Sequence, residues 1–123
     1  MSKRSLVVVV DDDESVRESL PDLLREFGFA SETFSSAEEF LASDHAGYTS
    51  CLILDVAMPG MTGPELQRTL ASRNQKIPIV FITAQRDETL RPRLLKLGAA
   101  ECLLKPFSEE DLLEALNAAL RVN

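Results

Sequence analysis

The sequence predicts an α/β fold: a doubly wound parallel sheet of five strands with helices on both faces, built as five successive βα units. Three observations predict it. Short runs of apolar, often β-branched residues recur at Leu6–Val10, Cys51–Leu54 and Ile79–Ile82. They lack the polar alternation of a strand with one wet face, so both faces are buried. Between them, apolar residues return at helical spacing. The two patterns alternate five times, which gives a parallel sheet covered on both sides. Right-handed crossovers then leave few topologies.

The first strand runs straight into acid: residues 7–14 read VVVVDDDE. Val16, Leu20, Leu23, Leu24 and Phe27 recur at helical spacing, and Gly28 stops that helix. Pro21 falls inside it and removes a backbone donor. Ala30–Phe34 is a weaker, alternating strand. Ser36 and Glu39 form a capping box that opens a short helix through Phe40 and Leu41. Cys51–Leu54 ends at Asp55, and Pro59-Gly60 marks a turn. Gly63-Pro64 reads as an N-cap followed by proline at the first helical position. Leu66 and Leu70 supply that helix's inner face. Ile79–Ile82 ends at Thr83. Leu90, Leu94 and Leu97 mark a helix closed by Gly98. Pro92 lies inside it, so the helix starts late, near Arg91, or kinks. Glu101–Leu104 is the last strand. Ser108 caps a final helix with Leu112, Leu113, Leu116, Ala119 and Leu120 inside.

Composition bounds the function. A chain of 123 residues with 45% hydrophobic residues suits one domain with its own core. The net charge of −7 makes it a poor binder of a phosphate backbone, so any DNA would be touched by another domain. No apolar run is long enough to span a bilayer. The opening MSKRSLVVVV is basic then apolar, but acids follow the short apolar stretch and no cleavage site does, so it reads as a strand of a cytoplasmic protein. Cys51 and Cys102 lie in apolar, strand-like segments and read as buried reduced thiols.

In such sheets ligands bind at the C-terminal ends of the strands. Asp11, Asp12 and Asp13 follow the first strand, Asp55 the third, Thr83 the fourth and Lys105-Pro106 the fifth. Each has a bland reading alone. An acid at a strand end can cap a helix, Asp55 can sit in a turn, and Thr83 and Lys105 can be ordinary strand-end and loop residues. Three adjacent acids fit capping poorly, because like charges raise one another's pKa. A hard divalent cation such as Mg²⁺ removes that conflict, and Asp11, Asp12 and Asp55 offer it oxygen ligands. A hydroxyl and an ammonium beside it suit a phosphoryl group, with Asp55 as a carboxylate nucleophile.

These pieces carry a resemblance. VVDDDESVRESL, LILDVAMPGMTGPEL, IVFITA and GAAECLLKPF occur in this order and spacing. Over essentially its whole length, 1–123, the chain resembles a response-regulator receiver domain of bacterial two-component signalling. It is most similar to receivers that precede helix-turn-helix output domains in nitrogen-fixation and aromatic-degradation regulators. The resemblance implies a flavodoxin-like sheet in the order 2-1-3-4-5 and a Mg²⁺ cofactor. Asp55 would be the phosphoacceptor. Asp12 would bind the metal directly, Asp11 largely through water, and the backbone carbonyl of Ala57 would complete the site. Arg17 sets the register of the acid pair, which leaves Asp13 to cap the first helix. Thr83 would bind the phosphoryl group and move toward it, and Lys105, in a cis Lys105–Pro106 bond, would pair with it.

The implied partners are a sensor histidine kinase and, on phosphorylation, a second copy through the fourth helix, fifth strand and fifth helix. DNA is reached only through a separate output domain, and no membrane is involved. The domain would catalyse its own phosphorylation and dephosphorylation as a switch, not as a turnover enzyme. It departs from the family at Cys102, where the aromatic switch residue usually stands. Ala57 and Gln85 occupy positions that tune phosphoryl lifetime. Arg91, Arg93 and Lys96 read as a solvated helix face or as that dimer face, with Leu95 as its apolar anchor. His45 reads as a solvated surface residue. Two alternatives remain. Asp11-Asp12-Asp13-Glu14-Ser15 matches the DxDxS nucleophile loop of haloacid-dehalogenase-like phosphatases, with Asp11 as nucleophile. That family, however, has no use for an aspartate after the middle strand. The other alternative is a degenerate receiver acting by contact alone, which only Cys102 favours.

Overall fold

The structure, a computed structural model, describes residues 5–121. Five strands alternate with five helices: β1 Leu6–Val10, α1 Glu14–Glu26, β2 Ala30–Phe34, α2 Ala37–Ala42, β3 Cys51–Asp55, α3 Gly63–Ser72, β4 Ile79–Thr83, α4 Leu90–Lys96, β5 Glu101–Leu104 and α5 Glu109–Arg121. A single 3₁₀ turn, Ala46–Tyr48, precedes β3. All strands are parallel, in the order β2-β1-β3-β4-β5. The apolar runs β1, β3 and β4 fill the centre, and the more polar β2 and β5 form the edges.

Alternate side chains of each central strand enter separate cores, which is why the runs are continuously apolar. Val8, Val10, Leu52, Leu54 and Phe81 face Phe40 of α2, Leu66 and Leu70 of α3, and Leu90 and Leu94 of α4. Val7, Val9, Ile53, Val80 and Ile82 face Leu20 and Leu24 of α1 and Leu112 and Leu116 of α5.

Several local expectations need correction. The N-cap of α3 is Thr62, not Gly63. Thr62 and Glu65 form a full capping box, which satisfies two orphan amides where glycine could satisfy none. The box at Ser36 is only half formed. Ser36 Oγ accepts from Glu39 N, but Glu39 Oε1 accepts from Ser35 N at 2.8 Å, one residue before the cap. Leu97 is not an inner-face residue. The helix ends at Lys96, and Leu97 is 60% exposed. Leu95 is half-buried and packs against the core. His45 is half-buried too. Its ring lies 5.3 Å from those of both Phe34 and Tyr48, and its Nδ1 is buried without a partner.

Both prolines are accommodated. α4 starts late, at Leu90, so Pro92 lies in the first turn, where a missing N–H breaks no helical bond. α1 runs on through Pro21, held by the burial of Leu20 and Leu24 on either side of it. Gly63 has a different reason for its identity. It packs against the end of β3, where a Cβ would collide with the Asp55 carbonyl oxygen and lie 3.0 Å from the Phe81 ring and 3.1 Å from Val56 Cα. Backbone cannot yield as a flexible side chain can, so Gly63→Ala is expected to destabilise the fold by about 2 kcal/mol. Urea unfolding of the variant checks it.

Candidate functional site

Strand register assembles the site. Val10 pairs with Leu54, so Asp11 and Asp55 leave neighbouring strands at one level. Asp55 pairs with Ile82, which puts Thr83 one step beyond, and Thr83 pairs with Leu104, which puts Lys105 one step beyond that. Lys105 N donates to Thr83 O at 2.7 Å and ties the last step down. The Lys105–Pro106 bond is cis.

Asp11 is fully buried and every polar atom of it is engaged. Its N donates to Phe34 O (3.2 Å), its Oδ1 accepts from Asp13 N (2.9 Å), its Oδ2 from Lys105 Nζ (2.9 Å), and its O from Arg17 Nη1 (2.8 Å). Arg17 is thus more than a register mark. It brings a second cation to the acids, through a backbone contact that no spacing announces. Asp55, 7% exposed, has Oδ1 3.9 Å from Lys105 Nζ. Asp12 is exposed, yet one carboxylate oxygen each from Asp11, Asp12 and Asp55 lie within 4.8 Å of one another. Thr83 is buried, with Oγ1 accepting from Gln85 N at 3.0 Å, which leaves its hydroxyl proton free to donate elsewhere. Ala57 is exposed on the β3–α3 loop, separated from Asp55 by Val56.

The electrostatics follow from the crowding. Burial pushes the Asp55 carboxyl up to about 7, the Asp11 charge adds to the push, and Lys105 opposes it. Burial alone would lower the Lys105 ammonium. Its hydrogen bond to Asp11 and the charges of Asp55 and Asp11 outweigh that and hold it above its usual range. Three hard oxygen donors that repel one another fit an oxygen-loving divalent cation, which would relieve what Lys105 relieves in part.

Asp13 caps α1, as expected. Its Oδ1 accepts from Ser15 N and Oγ, at 3.0 and 2.8 Å, and these bonds lower its pKa. The second acid and the serine of a DxDxS loop are therefore spent on the helix cap. Cys51 and Cys102 are buried free thiols. Burial drives Cys51 up to about 12 and raises Cys102 as well, so neither is a reactive thiolate. Cys102 lies against α4 and, with Thr83, Leu90 and Leu104, lines a groove of about 420 Å³. Arg91 is not simply solvated: it pairs with Glu101 across α4 and β5 at 2.8 Å.

The family model of the response regulator receiver domain matches residues 7–117. The chain belongs to the response regulator receiver family, a family of signalling switches. It is similar to the response regulator protein TodT of Pseudomonas putida, 43% identical over 123 residues, which are 99% of this chain and 54% of TodT. Among solved structures, the response regulator StyR superposes with a TM-score of 0.89 at 49% identity, covering 98% of this chain and 61% of that one. FixJ-N gives 0.86 at 35% identity, covering 99% and 98%. The receiver spans about half the length of the curated relatives it matches. None of its described helices is long and apolar enough to cross a membrane.

Proposed function

We propose that residues 1–123 form one phosphoacceptor domain that takes a phosphoryl group from a sensor histidine kinase onto Asp55 with Mg²⁺. One observation carries this: three carboxylates from two strand ends converge within 4.8 Å, with the Lys105 ammonium 2.9 and 3.9 Å from two of them. Asp11, Asp12, Asp55 and the backbone carbonyl of Ala57 would hold the ion. Bound there, Mg²⁺ would supply positive charge to the phosphoryl oxygens.

The protein's own part follows from the geometry. A carboxylate oxygen of Asp55 attacks phosphorus while the phosphorus–nitrogen bond to the kinase histidine breaks and its electron pair stays on the imidazole. Lys105 turns from Asp11 to the incoming phosphate, and the Thr83 hydroxyl donates to another phosphoryl oxygen. Phosphorylation places about two negative charges on phosphoryl oxygens beside Thr83 and Lys105 while consuming the one charge of the Asp55 carboxylate. That local change biases a two-state equilibrium of the α4–β5 side, where Cys102 takes the place of a larger switch residue. A switch of this kind catalyses its own phosphorylation and hydrolysis rather than turnover of a substrate.

Exposed Leu97 and Leu104 and the Arg91–Glu101 pair support the α4–β5–α5 side as the face for a second copy of the phosphorylated domain. The net charge of −7 supports leaving any DNA contact to a separate output domain, and the reading has the domain in the cytoplasm with its kinase. Intact mass after incubation with Mg²⁺ and acetyl phosphate tests the chemistry, and sedimentation of the same sample tests the dimer. One added phosphoryl group, absent when Mg²⁺ is chelated, is the expected result. A phosphate that is lost in Asp11→Asn but kept in Asp55→Asn would move the nucleophile to Asp11.

A further inference from the structure

The β3–α3 loop joins Asp55 to α3 and carries Ala57. It is closed at its base by Gly63 N donating to Val56 O at 3.0 Å, and the Thr62 amide is taken by Glu65 at 2.9 Å. Its tip is held from another element. Glu38 Oε2, in the first turn of α2, accepts from Met61 N at 3.0 Å, across 23 residues of sequence. The tip is shaped for this contact. Gly60 stands at φ 74°, and a Cβ there would lie 2.6 Å from Glu38 Oε2. The neighbouring acid behaves differently: Glu39 turns back to the start of its own helix, onto Ser35 N. Ala37 and Phe40 bury α2 in the core beside Val56 and Met58, so Glu38 reaches out from a fixed base.

We propose that Glu38 is a positioning residue for the acidic site, holding the loop so that the Ala57 carbonyl faces the same point as the carboxylates of Asp11, Asp12 and Asp55. This rests on Ala57 being a metal ligand. A carboxylate that orients a ligand-bearing loop acts as an outer-shell partner acts on a ligating side chain. Glu38 touches neither metal nor phosphate. Its effect passes through Met61 and Gly60.

Three variants of the full chain test it: Glu38→Ala, Glu38→Gln and Gly60→Ala. The readouts are Mg²⁺ affinity by titration calorimetry, exchange of the Met61 amide and the thermal midpoint. Glu38→Ala is expected to weaken Mg²⁺ binding about tenfold, to speed Met61 exchange and to leave the midpoint nearly unchanged, since the contact is exposed. Glu38→Gln keeps a carbonyl acceptor and is expected to stay within about twofold of the parent. Gly60→Ala, whose Cβ displaces the Glu38 carboxylate, is expected to weaken Mg²⁺ binding and speed Met61 exchange as Glu38→Ala does, with a lower midpoint because alanine is strained at φ 74°. Unchanged Mg²⁺ affinity in both alanine variants, with faster Met61 exchange, would overturn the positioning role and leave the receiver mechanism standing. Absence of Mg²⁺ binding by the parent chain would instead overturn the metal assignment beneath it.

Discussion

Replacing Asp55 with Asn is expected to leave the protein folded and unable to hold phosphate. Asparagine matches aspartate in size and fits the buried end of β3 without a cavity. It lacks the anionic oxygen that attacks phosphorus, so incorporation from acetyl phosphate falls by about three orders of magnitude or more, below detection by intact mass. The contacts that hold the site survive, because Lys105 is bound mainly to Asp11, at 2.9 Å against 3.9 Å to Asp55. The variant therefore separates chemistry from folding. Asp11→Asn is a poorer probe. Asp11 accepts from Lys105 and Asp13 with separate carboxylate oxygens, and an amide can replace only one of those acceptors. Retained phosphate in Asp55→Asn, with normal unfolding, would sink the assignment of the acceptor.

The strands were legible because their burial is legible. β1 is apolar throughout, β3 and β4 are apolar up to Asp55 and Thr83, and an amphipathic helix needs no such run. The strand-end residues followed, since parallel register carries Asp11, Asp55, Thr83 and Lys105 to one edge whatever the helices do in detail. Other features were written in the sequence but outweighed. Thr62-x-x-Glu65 is a capping box, yet the adjacent Gly63-Pro64 gives a competing start signal one residue later. Leu97 fits the spacing of Leu90 and Leu94, but the chain leaves the helix at Lys96 and the residue turns outward. What no local pattern contains is contact across the fold. Arg17 reaches a backbone carbonyl, Glu38 reaches a loop amide, and His45 is enclosed by Phe34 and Tyr48. The last two depend on where distant segments meet, and the first, between residues six apart, on how α1 leaves the end of β1.

The same crowding that marks the site sets a cost that pH can read. Without metal, the folded protein is expected to lose stability between pH 4 and pH 8. The Asp55 carboxyl titrates near its ordinary 3.8 when unfolded and at about 7 when folded, pushed up first by burial and then by Asp11. Between those values the folded state binds more protons than the unfolded one, so stability falls as pH rises through the window. The full shift corresponds to about 4 kcal/mol, and water reaching the open mouth of the site reduces the expected loss to about 2 kcal/mol. Groups shifted the other way act elsewhere. Asp13, Asp87 and Glu65 are pulled below their ordinary values of 3.8, 3.8 and 4.5, and the Lys105 contribution is lost only above 10.5. Urea unfolding at pH 5 and pH 8 measures the loss. Asp55→Asn should flatten it, making the variant more stable than the parent at pH 8. Added Mg²⁺ should restore the parent at pH 8 and release protons on binding at pH 7, because the ion takes carboxylates in their ionised form. Stability that instead rose from pH 5 to pH 8 would mean that Asp55 is ionised throughout. Lys105 and Arg17 would then suffice to keep Asp55 ionised, and the electrostatic argument for a divalent cation at the C-terminal end of β1 would weaken.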